Sequence, residues 1–174
     1  MAGHPADARG PHGHSVGDAG PVQQPGADVD ALRGALADGT IDCVATDHAP
    51  HPVEAKESEW AAAANGMTGL ETALRVVQLA MVDTGLLDWA GVKDRMSVRP
   101  AAIGRVAGHG VSIAPGAPAN LTLYDAAAPA VPVDPRTHAS KSRNSPFAGM
   151  ALPGAVLATF LRGTATVLDG KATR

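Results

Sequence analysis

The chain has 174 residues, 45% apolar, 18% charged and 3% aromatic, with a formal net charge of −3. These are the proportions of a soluble globular protein whose core is built from Ala, Val, Leu and Ile, long enough for one domain or a small domain plus part of another. A negative charge with scattered Lys and Arg excludes the basic patch that a nucleic acid or an anionic membrane partner demands.

The single cysteine, Cys43, rules out an intramolecular disulfide. No apolar run approaches a membrane span, and the first residues lack the apolar stretch of a secretory signal, so a cytoplasmic location is expected. Residues 1–26 are dominated by Gly, Pro, His, Asp and Ala, without a period of 2 or 3.6, and read as disordered. A helix is expected from Asp28 as N-cap, with Val29, Leu32 and Leu36 at helical spacing and Gly39 as its stop. Ile41 to Thr46 then reads as a strand buried on both faces.

Glu57 to Ala64 is expected to be helical, and Asn65-Gly66 to turn the chain. Thr68 and Glu71 have the spacing of a capping box, and Leu70, Leu74, Val77 and Met81 form the apolar stripe of a helix that ends at Gly85. Leu86 to Arg95 and Ala101 to Val106 are two further helical candidates, the second with Pro100 near its first turn. Ala119 to Tyr124, Ala155 to Leu161 and Ala165 to Leu168 read as strands, the last two joined across Arg162-Gly163 as a hairpin. Residues 126–154, rich in Pro and Ser, read as a long surface loop.

Chemistry concentrates at residues 44–51, Val-Ala-Thr-Asp-His-Ala-Pro-His. An acid at the carboxyl end of a buried strand stands where parallel α/β architectures place their reactive groups, and a carboxylate there can bind metal or carry a proton. On residue types alone, capping the following loop is the commoner role for such an Asp. His51 is open between a loop histidine bonded to backbone and a ligand-binding group. His48 follows Asp47 directly and reads as structural support. His12 and His14, like His4, lie in a Gly- and Pro-rich tract with no strand leading into it, and the pair is read as composition rather than as a metal site.

This octapeptide, taken with Gly69-Leu70-Glu71-Thr72, resembles the last-strand signature of the dihydroorotases, zinc-dependent members of the amidohydrolase superfamily. Hydantoinases and allantoinases also carry an Asp-His pair here, but the Ala-Pro-His that follows is more similar to dihydroorotase. The resemblance implies an α/β fold: the C-terminal part of a metal-dependent hydrolase (β/α)8 barrel, its last strand and helices, followed by segments of a small β-sandwich domain. The expected division is 1–26 as a non-family segment, 27–107 as the last βα unit and helices, and 108–174 as the β domain. Residues 142–149, with Ser142-Arg143-Asn144-Ser145-Pro146, resemble the family's segment before its closing hairpin, for which a polar turn is a sufficient reading.

By the same resemblance Asp47 is a zinc ligand and the proton-handling acid, while His51, Asn65 and Gly66 hold the substrate. The reaction implied is the reversible hydrolysis of dihydroorotate to N-carbamoyl-aspartate in pyrimidine biosynthesis. A complete barrel needs roughly 250 residues, and nothing in the chain corresponds to the family's first seven strands. The expectation is therefore a truncated, inactive fragment, since one carboxylate cannot hold catalytic zinc. The alternatives are a hydantoinase- or allantoinase-type enzyme, or a non-catalytic partner. Such a partner would cover its exposed barrel edges with an oligomer or another protein, such as a transcarbamoylase.

Overall fold

In the computed structural model, which describes residues 26–59 and 61–173, the first helix, α1 (Gly26–Asp38), stops where Gly39 turns to a φ of 94°. Its end is the one expected; its start lies two residues before Asp28. The described residues divide into two compact units. One comprises residues 26–45, Leu74–Val131 and 151–173, and the other Thr46–Ala73 and Pro132–Met150.

The core of the first unit is helical. Helix α3 (Ala73–Val77) runs into a π-helical turn, Gln78–Val82, which is followed by Gly85 at a φ of 76°. Val77, Met81 and Val92 are buried together, with Leu36, Val44, Leu74, Leu87 and Met96 packed against them. The apolar stripe holds from Leu74 to Met81, but Leu70 is 65% exposed and takes no part in it. The two later helical candidates merge into one run. Helix α4 (Trp89–Lys93), capped by the Asp88 carboxylate accepting from Gly91 N–H, continues through a π-helical turn, Asp94–Val98, into α5 (Arg99–Ile103). Pro100 has no N–H to give, and the wider π turn ahead of it lets the helix pass.

Ile41 to Thr46 does not form the expected strand. A strand exists by pairing, and residues 41–46 find no strand partner among the described residues. Val44 N–H instead donates to the Arg95 carbonyl at 3.2 Å, and the Val44 side chain packs on the helical core. Arg95 is buried, pairs with Asp94, and donates from Nε to the Leu36 carbonyl at 2.9 Å. A buried guanidinium is tolerated only when partnered in this way.

The four-stranded antiparallel sheet has the order β1 (Leu121–Asp125), β4 (Ala155–Leu161), β5 (Thr164–Leu168), β6 (Lys171–Ala172). Arg162 at φ 50° and Gly163 at φ 83° make the expected β4–β5 hairpin, both central residues left-handed as a type I′ turn requires. Asp169 at 48° and Gly170 at 71° repeat the device and add β6, a strand beyond those expected although Asp-Gly is its signal. The stretch 126–154 is more than a loop. It holds β2 (Val131–Pro132) and β3 (Ala151–Leu152), paired with each other, and Leu152 is fully buried.

Sheet and helices of this unit are joined by polar contacts. The Arg75 guanidinium donates to the carbonyls of Pro153, Leu152 and Val131. Tyr124 hydroxyl meets Gln78 Oε1 at 2.6 Å, the Tyr124 and Trp89 rings lie 5.5 Å apart, and burial pushes the Tyr124 phenol above its ordinary pKa.

Met81→Ala would empty the centre of the helical cluster and is expected to cost about 2–5 kcal/mol, read from the urea midpoint. In the other unit, Asp134 caps the turn Pro135–Thr137, and hydrogen bonds from the Arg136 side chain and N–H lower its pKa from 3.8 to about 2. Because the folded value is depressed, this contribution is present above pH 3.8 and is lost as pH falls through about 2. Carbon-detected NMR titration of the Asp134 carboxyl should give that low midpoint.

Candidate substrate site around Asp47

The second unit is a set of turns arranged around residues 46–51. Pro50 and Pro52 keep the chain from entering a helix before α2 (Val53–Lys56), for which Pro52 is the extended N-cap. Glu57 to Ala64 is not the helix expected. Glu57 N–H closes α2 onto Val53, and the Lys56 ammonium reaches forward to the carbonyls of Ala64 at 2.6 Å and Gly66 at 3.0 Å, folding the chain back.

Asp47 is exposed and has a φ of 42°. Asp is among the few side chains that tolerate this left-handed region, and even so the conformation persists only where neighbours enforce it. Both neighbours do. On one side, Gly69 lies against Thr46 so closely that a Cβ on Gly69 would come within 3.2 Å of the Thr46 carbonyl oxygen. On the other, His48 forms a single parallel bridge with Met67, reinforced by Ala49 N–H donating to the Met67 carbonyl at 2.9 Å. The His48 ring is fixed as well, its Nδ1 accepting from the N–H groups of Gly69 at 3.1 Å and Leu70 at 3.3 Å. An accepting Nδ1 places the ring proton on Nε2.

His51 and Gly66 come together. Gly66 is buried at a φ of 103°, and a Cβ there would lie 2.5 Å from that of Ala49 and 3.5 Å from His51 Nε2. Only glycine fits both the angle and the space. Asn65, next to it, is exposed. The group that joins these pieces is Asn144. Its Nδ2 donates to the carbonyls of Ala49 at 2.9 Å and Gly66 at 3.2 Å, and its Oδ1 accepts from His51 N–H at 3.3 Å. Its own carbonyl accepts from Thr68 N–H at 3.1 Å. A polar turn accounts for Asn144 locally, and no local signal marks a side chain whose partners are more than 75 residues away.

The expected capping box is absent for a similar reason. Thr68 is buried with its hydroxyl unpartnered, and the Glu71 carboxylate accepts from Ala139 N–H at 3.1 Å and Ser140 N–H at 3.3 Å. Two amides from a distant segment outcompete one from the helix start.

No group of three or more His, Cys, Asp or Glu comes together among the described residues to hold a metal ion. Catalytic zinc takes three protein ligands, so the described residues do not by themselves fit a zinc site. His4, His12 and His14 lie outside the described residues. None of the described helices is long and apolar enough to cross a membrane.

The chain belongs to the amidohydrolase family, whose model matches residues 19–166, a span that begins inside the segment that composition sets apart. More particularly, it is similar to dihydroorotases. It is 67% identical over 146 residues to that of Streptomyces coelicolor, covering 84% of this chain and 34% of the relative. To that of Mycobacterium tuberculosis it is 48% identical over 165 residues, covering 95% and 38%. Among solved structures, L-hydantoinase (dihydropyrimidinase) from Arthrobacter aurescens superposes with a TM-score of 0.80 at 32% identity, over 91% of this chain and 35% of that one. The chain thus spans about a third of the length of the relatives it matches, and the expected fold class, part of an amidohydrolase α/β barrel with β segments, is the one observed.

His48→Ala would leave the Gly69 and Leu70 N–H groups without their acceptor. The expected cost is about 1–3 kcal/mol, read by urea unfolding, with faster amide exchange at Gly69 and Leu70.

Proposed function

We propose that this chain carries the Asp47 loop and substrate shelf of a dihydroorotase-type cyclic amidohydrolase. The observation that carries the reading is the left-handed Asp47, enforced from both sides and followed by His48, Pro50 and His51. Strained backbone held in place by its surroundings concentrates at functional sites. The 67% identity to a dihydroorotase, against 32% to a hydantoinase, supports the substrate class over the hydantoin alternative.

In the ring-opening direction, water adds to the carbonyl carbon of the cyclic amide and the ring C–N bond breaks. The Asp47 carboxylate takes the proton of the attacking water and returns it to the departing nitrogen, giving N-carbamoyl-aspartate; the reverse sequence closes the ring. His51 and the backbone of Asn65 and Gly66 bind the substrate ring and its carboxylate. A place in cytoplasmic pyrimidine biosynthesis follows from this substrate. The family implies zinc, with Asp47 as one ligand, and the remaining ligands would come from outside the described residues.

The purified 174-residue chain is accordingly expected to hold well under one equivalent of zinc and to leave dihydroorotate unhydrolysed, while dihydroorotate shifts the amide resonances of His51 and Gly66. Elemental analysis, a ring-opening assay and NMR titration check the three points. Should the chain turn over, Asp47→Asn must lower kcat by about 10²–10⁴ with an unchanged melting midpoint, because Asn keeps the left-handed backbone. Turnover that survives this change would sink the role given to Asp47. A response to hydantoin but not to dihydroorotate would sink the substrate class.

A further inference from the structure

We infer that Asn144 and Lys56 are positioning residues that set the distance between His51 and the Gly66 backbone, and through it the grip on the substrate. The inference rests on the substrate-binding role proposed for His51 and Gly66. Its own support is geometric. The Gly66 carbonyl accepts two donors, Lys56 Nζ at 3.0 Å and Asn144 Nδ2 at 3.2 Å. Lys56 Nζ also takes the Ala64 carbonyl at 2.6 Å, so the backbone is held on either side of the exposed Asn65. Asn144 then links this segment to the other side of the site, holding the Ala49 carbonyl and the His51 N–H with the same carboxamide.

Gly66 is closely packed as well: a Cβ there would lie 2.5 Å from that of Ala49 and 3.5 Å from His51 Nε2. Displacing Gly66 would strain the bonds that Asn144 and Lys56 make to its carbonyl. A planar carboxamide fixes donor and acceptor directions together, so the ring-facing surface formed by His51 and Gly66 is set before any substrate arrives. Preorganisation of this kind is expressed in affinity, because the ordering cost has been met in the fold.

The test uses the full chain with three variants, Asn144→Ala, Asn144→Asp and Lys56→Met. Amide exchange at His51, the carbonyl carbon shift of Gly66 and dihydroorotate titration are followed. Expected in Asn144→Ala is at least tenfold faster exchange at His51, a moved Gly66 carbonyl shift and tenfold weaker dihydroorotate binding, with cooperative melting retained. Where turnover can be measured, KM should rise while kcat holds. Asn144→Asp keeps an acceptor for His51 N–H but turns carboxylate oxygen towards two carbonyls, so the Gly66 shift should move while His51 exchange does not quicken. Lys56→Met should likewise move the Gly66 shift without changing exchange at His51. Unchanged readings at both residues would overturn the inference. So would changes there with unaltered affinity, which would make the clamp a folding element only. If the wild-type chain shows no response to dihydroorotate, the substrate reading falls, and the His51 and Gly66 readings still decide whether Asn144 and Lys56 hold them.

Discussion

One carboxamide joins backbone that the chain otherwise keeps far apart. Asn144 spends both its donor and its acceptor on main-chain groups, and the nearest of these in sequence, Gly66, lies 78 residues away. Three bonds from one planar group define a plane and a spacing, which one bond cannot do. The unit of which it is part has little regular structure to supply rigidity: among its described residues the helical elements are α2, of four residues, and a single 3-10 turn. Among its described residues, Val133 is the one buried apolar side chain. Order here comes from polar side chains satisfying backbone groups, with Lys56, His48 and Glu71 doing for their segments what Asn144 does for the site.

The other unit is built on the opposite principle. Val77, Met81 and Val92 exclude water at its centre, and polar contacts sit where helix meets sheet: Arg75 on three carbonyls, Gln78 on Tyr124 and Ala126. Apolar packing is non-directional, so it tolerates the two π-helical turns that interrupt both helices. A site defined by hydrogen-bond directions could not absorb such irregularity.

What was legible in the sequence follows the same division. Helix α1, the stripe from Leu74 to Met81 and the Arg162-Gly163 hairpin were read from local spacing and turn residues, and local physics suffices for them. The octapeptide at 44–51 stands out by residue type alone, an acid, two histidines and a proline after an apolar run. The strand at Ile41 to Thr46, the Glu57 to Ala64 helix and the Thr68–Glu71 box were not legible, because each turned on a competition with distant groups. Val44 bonds to Arg95, Lys56 to Gly66, and Glu71 to Ala139 and Ser140. Asn144 offered no pattern at all. A residue that works by bridging carries no periodicity, and only the folded chain displays it.

The chemistry proposed for this chain also divides into separate requirements. A carboxylate given the proton-carrying task proposed for Asp47 needs a defined place more than it needs burial, and Asp47 is exposed at a left-handed φ. In the substrate role proposed for them, His51 and the Gly66 backbone would orient a flat ring, and both are tied to the Asn144 carboxamide. Activation of the water is a different requirement. It calls for several ligands converging on one ion, and such convergence is absent among the described residues. The proton transfer proposed for Asp47 is thus a separate requirement from the metal activation that the proposed reaction also calls for.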